Sequence, residues 1–518
     1  MNNYYIKSFI LLLLQMILVC GASGLVGKEL CNLLDEKNID YIGTYNNNKI
    51  DKPNYFKIDF SNPDNLETFL REKNIKCCVF SIVERLTDVC ENDWNKTKQT
   101  NIELVHITSF VCNKLNIRFV HISTDYVFDG SRQPNYPDSP KNPLQNYGIS
   151  KLISEYRVQK NCTNYSIIRT PVLYSENSKI HDNAVTLIGK NLMDLRKTTL
   201  KEDSYCLRRP LFIRDLVVFI IEKCFSDDSD IFHFYNPHNK YSKFDMCNKI
   251  QSIIQNKDVV IEPNNARSYG IAARPYDTNL CDNKYDIQKY EFTDFNKTLE
   301  LCFGKYNLSN INNESFFMID LDGTLINSSK VHYEAYERVF QKMNKTFVDF
   351  EKWNNIINSK HFDDYMKDVM EFSIEEIVMI KQEKLVEFQN TENIEIIENA
   401  DIFINKLNEL KINYCVVTNT GKKTIEIFKE KQPMLKSINN WIVREDYQEP
   451  KPNSECFELA IKKYSNNSKN IVGIEDSEVG FKALNDVTPL IFMVDNYNVF
   501  KNNDCYIFND YVQLLNLL

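Results

Sequence analysis

The sequence predicts an α/β protein with two doubly wound parallel sheets, one in each of two domains. Apolar strands alternate with amphipathic helices from residue 16 to about residue 170, and this alternation is typical of a parallel sheet with helices on both faces. A fresh apolar strand, Phe316–Ile319, follows an Asn/Ser-rich segment and begins the second domain. The expected strands of the first domain are Met16–Cys20, Tyr41–Gly43, Tyr55–Asp59, Cys77–Ser81, Arg118–Ser123 and Ser166–Thr170.

We divide the 518 residues into an apolar N-terminal extension (1–15), a first domain (16–303), a linker (304–315) and a second domain (316–518) with a helical insertion at about 327–396. An alternative interpretation of the apolar run that ends at Cys20 is a signal peptide or a membrane anchor. The run is shorter than the about 20 residues that a membrane helix needs, and cleavage at its end would damage the first strand. We therefore expect no membrane association.

Composition argues against several classes of function. The net charge is −9, the pI is near 5.5 and no long basic run occurs, which disfavours a general nucleic-acid binder. Fifteen cysteines without a C-x-x-C pair and only seven histidines disfavour a zinc site, and thiols at this number indicate a reducing, cytoplasmic environment. Because only 13 residues are glycine, each glycine in a motif is expected to have a backbone role.

A glycine-rich turn joins the first strand to the first helix, where residues 21–27 read G-A-S-G-L-V-G. In Rossmann-like domains such a turn lets the backbone approach a dinucleotide pyrophosphate, and the helix N-terminus supplies N–H donors. A purely structural turn is the alternative. The candidate cofactor-binding residues here are Gly21, Ser23, Gly24, Leu25, Val26 and Gly27.

The end of the second strand bears on the choice of cofactor. Residues 43–46 read G-T-Y-N, without the acidic residue that holds the ribose 2′-hydroxyl of NAD. No arginine for the 2′-phosphate of NADP stands there either. We favour NADP(H) and leave NAD(H) open.

A second motif supplies acid–base groups for reduction. Tyr147 and Lys151 are spaced at i and i+4, which places both on one helix face. A nearby ammonium stabilises a phenolate and is expected to lower the pKa of Tyr147, so that this tyrosine can give a proton to a carbonyl oxygen. Thr124 would hold that oxygen by a hydrogen bond, and Lys151 would also bind the nicotinamide ribose.

Residues 16–300 resemble the dTDP-4-dehydrorhamnose reductase family, in the extended short-chain dehydrogenase/reductase group. The resemblance is carried by the glycine turn, by S-T-D-Y-V-F-D-G at 123–130, by Y-G-I-S-K at 147–151 and by A-R-P at 273–275. It implies reduction of the C4 ketone of a nucleotide-linked 4-keto-6-deoxy sugar. It also implies that Asp59 contacts the adenine ring. Ser175 departs from the family pattern, which often has glycine there.

A segment at 84–92, E-R-L-T-D-V-C-E-N, is more similar to the regulatory beta subunit of methionine adenosyltransferase, a member of the same family. That subunit keeps the Tyr/Lys pair and acts by binding a partner. The resemblance therefore leaves open a dinucleotide-binding regulatory module with a protein partner such as a methionine adenosyltransferase catalytic subunit.

The second domain carries a pattern for phosphoryl transfer. The strand Phe316–Ile319 ends in D-x-D-G-T, so that Asp320 can attack phosphorus and Asp322 can protonate the leaving oxygen and later activate water. Thr418 follows another strand and can bind the phosphoryl group, and Lys451 can neutralise the developing charge. Because carboxylates repel a phosphate dianion, a Mg²⁺ ion is required. The candidate metal ligands are Asp320, Asp322, Glu475 and Asp476.

These four motifs, in this order over residues 314–518, resemble haloacid-dehalogenase-like hydrolases. Residues 327–396 lie where one branch of that family has a helical cap, which excludes water and selects the substrate. The retained Asp322 favours a phosphatase or phosphomutase over a dehalogenase, and E-D-S at 475–477 is similar to the beta-phosphoglucomutase and sugar-phosphatase branch. A degenerate fold kept for interaction is the alternative.

The two domains together predict a bifunctional enzyme of carbohydrate metabolism. Its partners would be a nucleotide sugar and a small phosphate ester, with no nucleic acid. Family members often associate, so a homo-oligomer is compatible with the resemblance.

Overall fold

The computed structural model describes residues 16–176, 180–266, 271–359, 362–390, 394–495, 499–500 and 503–518. The expected extension 1–15 lies outside these residues. The chain forms two compact units. The first comprises Met1–Gly189, Thr199–Gln251 and Val260–Cys302, and the second comprises Lys190–Thr198, Ser252–Val259 and Phe303–Leu518.

The first unit contains a parallel sheet of seven strands. They are β1 (Met16–Cys20), β2 (Tyr41–Tyr45), β3 (Tyr55–Lys57), β4 (Ile75–Phe80), β5 (Arg118–Thr124), β6 (Tyr165–Thr170) and β7 (Asp230–His233). The order across the sheet is β7-β6-β5-β4-β1-β2-β3, and every pairing is parallel. The strand order reverses between β1 and β4, and a crevice for ligands forms at such a point. This confirms the predicted doubly wound sheet.

Helices cover this sheet. After β6 the chain continues as helices and short strands in a less regular order. The first helix, Leu25–Glu36, buries Leu30, Leu33 and Leu34 against the sheet, as their helical spacing predicts. The other helices up to residue 303 are Pro63–Glu72, Thr87–Asn92, Trp94–Lys98, Leu104–Lys114, Asn146–Asn161, Thr186–Leu192, Ile213–Cys224, Lys243–Ile254 and Phe295–Phe303, with a π-helical turn at Gln99–Glu103. Three short strand pairs are Leu173–Tyr174 with Leu211–Phe212, Leu207–Arg208 with Tyr241–Ser242, and Thr199–Asp203 with Val260–Asn264.

The second unit contains a parallel sheet of six strands. They are β8 (Phe316–Ile319), β9 (Asn413–Val417), β10 (Trp441–Ile442), β11 (Ile471–Glu475), β12 (Leu490–Val494) and β13 (Tyr506–Phe508). Their order is β10-β9-β8-β11-β12-β13, again all parallel. The order reverses between β8 and β11, so the ends of these two strands meet at one crevice.

The insertion after β8 is helical, as the sequence predicts. Its helices are Ser328–Lys342, Phe350–Ser359, Phe362–Asp368 and Ile374–Gln389. An aromatic cluster that includes Phe340, Trp353 and Phe362 forms its core. The remaining helices of the second unit are Ala400–Glu409, Lys422–Lys431, Glu455–Tyr464, Glu478–Asn485 and Val512–Leu515.

Two further features bear on the environment of the protein. Within the described ranges, no helix has both the length and the apolar character needed to cross a bilayer. All the cysteines lie in those ranges, no disulfide joins them, and each except Cys281 is buried. Buried thiols of this kind behave as small apolar side chains.

Candidate active sites

The glycine turn after β1 has the geometry that a dinucleotide site needs. Gly21 adopts φ +83°, a left-handed conformation that favours glycine, and its N–H donates to Thr44 Oγ1 at 3.2 Å. Gly24 is the N-cap of the helix Leu25–Glu36 and makes no side-chain cap bond. A Cβ atom on Gly27 would overlap the backbone of Gly21 and Ala22. Gly27 therefore lets the helix approach the turn closely, while Gly24 leaves the helix N-terminus open.

A cavity of about 1640 Å³ in the first unit begins at this turn and reaches the Tyr/Lys pair. Gly27 is buried behind the turn and does not line it. Thr170 also lines the cavity, but its Oγ1 is buried and has no hydrogen-bond partner within the described part of the chain. The open helix N-terminus fits a bound dinucleotide, because its N–H groups are free to donate to a pyrophosphate. The predicted residues that line the cavity are Gly21, Ser23, Gly24, Leu25, Val26, Asp59, Thr124, Tyr147 and Lys151.

The cavity wall beyond β2 contains Tyr45, Asn46 and Lys57, with no acidic residue at the end of that strand. Asp59 is exposed at the end of β3. Its carboxylate accepts hydrogen bonds from Ser61 Oγ at 2.6 Å and from Ser61 N at 2.9 Å, which lower its pKa.

The acid–base pair is arranged differently from the sequence expectation. Lys151 is buried, and its Nζ donates to the Ile122 carbonyl at 2.7 Å and lies 3.3 Å from His121 Nε2. Burial lowers the pKa of Lys151 to about 7. Burial also raises the pKa of Tyr147, and the interaction with the Thr124 hydroxyl only partly opposes that rise. The expected lowering of the Tyr147 pKa is absent because the ammonium is directed to β5 instead of to the phenol.

A buried ion pair fixes the back of this site. Arg169 on β6 binds Glu155 with an Nη2–Oε2 distance of 2.7 Å, and the two side chains are 0% and 1% exposed. Ser123 Oγ donates to Glu155 Oε1 at 2.5 Å. This network joins β5, β6 and the helix Asn146–Asn161, and the charge of Glu155 partly offsets the pKa depression of Lys151. It therefore holds Tyr147 and Lys151 in a rigid frame.

Sequence reasoning missed several polar groups of the cavity. Asp125, next to Thr124, accepts a hydrogen bond from Thr278 Oγ1, and burial raises its pKa to about 6. Arg208 and Arg274 line the same cavity, and Arg274 Nη2 lies 3.1 Å from Asp88 Oδ1. The only sequence signal was Arg274 within the A-R-P motif, and it did not indicate a role.

At the crevice of the second unit, Lys451 binds two carboxylates. Its Nζ lies 2.6 Å from Asp320 Oδ1 and 2.8 Å from Glu475 Oε1, and all three residues are buried. Asp320 follows β8 and Glu475 ends β11, so the strand order brings them together. Lys451, which the sequence predicts to neutralise developing charge, therefore lies against the predicted nucleophile Asp320.

Three carboxylates form a group that could hold a metal ion. Ligand oxygens of Asp320, Glu475 and Asp476 lie within 4.8 Å of one another. Burial raises the pKa of Asp320 to about 7, against the attraction of Lys451, and burial with carboxylate repulsion raises that of Asp476 strongly. A Cβ atom on Gly323 would overlap Asp476, so glycine makes room for this carboxylate. The excess of buried negative charge and the oxygen donors fit Mg²⁺.

The Asp322 carboxylate lies outside that group and binds hydroxyls instead. Oδ2 accepts from Thr420 Oγ1 at 2.6 Å and from Thr418 Oγ1 at 3.1 Å. Oδ1 accepts from Ser328 Oγ at 2.5 Å and lies 3.5 Å from His332 Nε2. Burial opposes ionisation, but these contacts, His332 first, hold the pKa of Asp322 well below its usual range. The sequence analysis named Thr418 as a site residue, but it did not predict Thr420, Ser328 or His332.

Comparisons with known proteins match the two parts of the chain separately. Residues 317–486 match the family described as Haloacid dehalogenase-like hydrolase. Methionine adenosyltransferase 2 subunit beta from Danio rerio is 27% identical over 237 residues, covering 44% of this chain and 71% of that protein. The Spore coat polysaccharide biosynthesis protein SpsK from Bacillus subtilis is 28% identical over 221 residues, covering 42% and 73%.

Among solved structures, a dTDP-4-dehydrorhamnose reductase from Bacillus anthracis in complex with NADP is 21% identical, with a TM-score of 0.47 over 56% of this chain and 98% of that one. The described sheets, glycine turn and Tyr/Lys pair agree with the match of residues 15–307, more than half of the chain, to the family described as RmlD substrate binding domain. The chain therefore belongs to the RmlD substrate binding domain family, with a haloacid-dehalogenase-like hydrolase domain at its C-terminal end.

Proposed function

We propose that the chain is a bifunctional enzyme. The first domain would reduce the 4-keto group of a nucleotide-linked 4-keto-6-deoxy sugar with NAD(P)H, NADPH being favoured. The second domain would hydrolyse a small phosphate ester through an aspartyl phosphate, with Mg²⁺. The observation that carries the first activity is the single cavity that joins the glycine turn to Tyr147.

The residues of this chain support the reduction as follows. A bound reduced nicotinamide would supply hydride to the carbonyl carbon. Tyr147 would give its proton to the carbonyl oxygen, because its raised pKa keeps the phenol protonated at neutral pH. Thr124 would orient that oxygen, and Lys151 would hold the ribose hydroxyls.

Cationic side chains in the same cavity support a diphosphate-linked substrate. Arg208, Lys243 and Arg274 all line it, together with Arg85. Guanidinium groups bind phosphate oxygens in bidentate geometry. The ketone would then lie between this cationic region and the glycine turn.

The decisive experiment follows NADPH and then NADH oxidation by the full chain on dTDP- and UDP-linked 4-keto-6-deoxyglucose, with and without a 3,5-epimerase. Turnover that falls by about 10²–10⁴-fold in Tyr147→Phe would support the reductase and identify the nucleotide carrier. Tight cofactor binding without turnover on any of these sugars would refute it.

For the second activity, Asp320 would attack phosphorus and displace the alcohol, and water would then cleave the aspartyl phosphate. Thr418 and Lys451 would bind phosphoryl oxygens. A metal held by Asp320, Glu475 and Asp476 would neutralise charge during this displacement. Asp322 would protonate the leaving oxygen and then activate water; its contacts hold its pKa low and so favour the carboxylate form that acts as the base.

We expect Asp320→Asn to abolish Mg²⁺-dependent hydrolysis of p-nitrophenyl phosphate and of sugar phosphates. NADPH affinity, measured by nicotinamide fluorescence on the same protein, should not change because Asp320 lies in the other unit. Hydrolysis that persists in Asp320→Asn would remove this residue as the nucleophile.

A second candidate function for the first domain is a non-catalytic, dinucleotide-binding regulatory module. The similarity to Methionine adenosyltransferase 2 subunit beta favours it. A pull-down with a methionine adenosyltransferase catalytic subunit that is unaffected by Tyr147→Phe, together with no turnover, would support the module. The cysteines form no disulfides and are largely buried, as in proteins of a reducing compartment. This supports a cytoplasmic location under either function.

A further inference from the structure

A histidine of β5 lies directly behind Lys151 in the first unit. The His121 side chain is 0% exposed, and its ring centroid lies 6.2 Å from that of Phe80 and 6.3 Å from that of Phe119. Its Nε2 lies 2.9 Å from Ser154 Oγ and 3.3 Å from Lys151 Nζ. Its Nδ1 is buried and has no hydrogen-bond partner in the part of the chain that the structure describes. His121 is therefore linked to the reaction site through one nitrogen.

The hydrogen bonds around His121 decide which of its nitrogens carries the proton. Burial, followed by the charge of Lys151, holds the pKa of His121 well below its usual range, so the ring is neutral and has one N–H. The Ser154 hydroxyl donates its proton to the Lys151 carbonyl at 2.7 Å, so toward the ring it can only accept. A proton on Nδ1 would be a buried donor without an acceptor, which folded proteins rarely contain. The proton therefore lies on Nε2.

This N–H opposes the charge of Lys151. The Lys151 ammonium donates to the Ile122 carbonyl at 2.7 Å, but at His121 Nε2 it meets a second donor. An ammonium has no lone pair, whereas the neutral amine can accept a hydrogen bond from Nε2–H. His121 therefore favours the neutral form of Lys151. Burial acts in the same direction and lowers the pKa of Lys151 to about 7.

Other titratable or charged groups also surround this site. They come from the helix of Lys151, from the end of β5, from β6 and from the neighbouring segments: Tyr147, Glu155, Asp125, Arg169, Asp182 and Cys90. The charge of Glu155 raises the pKa of Lys151, but the same carboxylate is bound by Arg169. Because a substitution at His121 alters none of these groups, their effects are common to the wild type and the variant.

We propose that His121 is a positioning residue of the first active site, whose Nε2–H sets the upper pH at which Lys151 can hold the nicotinamide ribose as an ammonium. This inference rests on the proposed role of Lys151 and goes beyond it, because His121 does not line the cavity. An ammonium makes stronger hydrogen bonds to ribose hydroxyls than a neutral amine does. The pH range of cofactor binding is therefore controlled from behind the site.

The first measurement concerns the histidine alone and needs no ligand. The full chain has seven histidines, so nitrogen-15 labelling of histidine gives a small set of ring signals, and those of His121 are the ones lost in His121→Phe. We expect a neutral ring with its proton on Nε2, unchanged from pH 6 to 9. A proton on Nδ1, or a charged ring within this range, would overturn the inference.

The second measurement is the affinity for NADPH from pH 6 to 10, by nicotinamide fluorescence on the full chain. His121→Phe keeps a ring beside Phe119 and removes both nitrogens. Wild-type affinity should fall above about pH 7, where Lys151 loses its proton. In His121→Phe this fall should move up by about one pH unit, which corresponds to one ordinary hydrogen-bond contact. At pH 8 the variant should then bind NADPH about 5-fold more tightly than the wild type.

Two further variants make this comparison specific. Ser154→Ala removes the acceptor that keeps the proton on Nε2, so it should move the fall in the same direction by a smaller amount. His106→Phe is the matched control. His106 is half-buried, its Nδ1 lies 3.0 Å from Asn161 Nδ2, and it has no described contact with Lys151. It should keep the pH dependence of the wild type.

These readouts separate the inference from the proposed reduction. An upward shift in His121→Phe supports the inference even if the wild type reduces no sugar nucleotide. An unchanged or lower pH range in His121→Phe overturns it even if the wild type is an active reductase. A wild type that binds no NADPH at any pH would overturn both, because Lys151 would then have no ribose to hold.

Discussion

Replacement of Gly27 by alanine tests the geometry of the glycine turn. The new Cβ would lie 2.8 Å from Ala22 Cα and 2.8 Å from the Gly21 carbonyl carbon, and it would overlap the Gly21 oxygen. Ordinary carbon contacts are about 3.5–4.0 Å. All these neighbours are backbone atoms of a turn that β1 holds in place, so the helix Leu25–Glu36 must move away by about 1 Å.

That displacement has two consequences of predictable size. Overpacking of a well-packed site costs about 1–3 kcal/mol. For a unit of this size each kcal/mol lowers Tm by about 2–4 °C, so the transition of the first unit should fall by about 2–12 °C. The helix N-terminus also moves relative to the rest of the cavity, and a loss of about 1.4 kcal/mol would weaken NADPH binding tenfold.

The assay is calorimetric unfolding with and without NADPH, combined with fluorescence titration of NADPH. The transition that NADPH raises is assigned to the first unit, because a ligand of the native state stabilises the unit that binds it. Gly24→Ala is the matched control. Its backbone is at φ −82° and its Cβ would meet only the Gly21 oxygen, at 3.3 Å. It should lower Tm less than Gly27→Ala does, since it costs only the preference for glycine over alanine at an N-cap, and it should lose NADPH affinity, because Gly24 lines the cavity.

The two variants therefore have different signatures. Gly27→Ala should lower both Tm and affinity, and Gly24→Ala should lower mainly affinity. If Gly27→Ala keeps the wild-type Tm and binds NADPH normally, then the close approach of helix and turn is not needed. The dinucleotide interpretation of residues 21–27 would then lose its structural basis.

Three further predictions concern charge. Lys451→Met should lower the stability of the second unit by about 3–5 kcal/mol, measured by denaturant unfolding, because Asp320 and Glu475 lose a buried counterion; an unchanged midpoint would contradict this. Mg²⁺ should raise the Tm of that unit in the wild type and EDTA should reverse the rise, whereas a Tm insensitive to both would argue against a metal site. For Asp125, the folded pKa of about 6 exceeds the ordinary 3.8, so the folded state binds more protons between these values and stability falls as pH rises through about 4–6. Asp125→Asn should flatten that slope in Tm measured across this range.

The local pattern of the sequence was sufficient to predict the strands and turns that create both sites. β1 and β8 have the predicted bounds, since both are uninterrupted apolar runs before a glycine or an aspartate. The bounds differ where pairing decides them. β4 begins at Ile75 and includes exposed Lys76, because Met16 of β1 pairs with Ile75. In the sequence, Lys76 interrupts the apolar run, so the strand was expected to begin at Cys77. In the structure, pairing with β1 extends β4 back to Ile75.

The contacts of individual side chains could not be predicted in the same way. The spacing of Tyr147 and Lys151 correctly indicated one helix face, but burial directs the Lys151 ammonium to the Ile122 carbonyl. Likewise, His332 reaches Asp322 only because the cap helix folds back over the end of β8. Such partners depend on tertiary packing between distant segments, which residue spacing does not encode.

The electrostatics of the first site favour one direction of reaction. A phenol must be deprotonated to accept a proton in alcohol oxidation and protonated to donate one in ketone reduction. Burial raises the pKa of Tyr147 and lowers that of Lys151 to about 7, so both groups are driven toward their neutral forms. The protonated phenol is then the resting state at neutral pH, which is the form that reduction uses. Reduction should therefore lose rate as pH rises above neutral, because Lys151 then loses the charge with which it would hold the ribose hydroxyls. A pH–rate profile of kcat/KM that rises with pH across 6–9 would contradict this assignment.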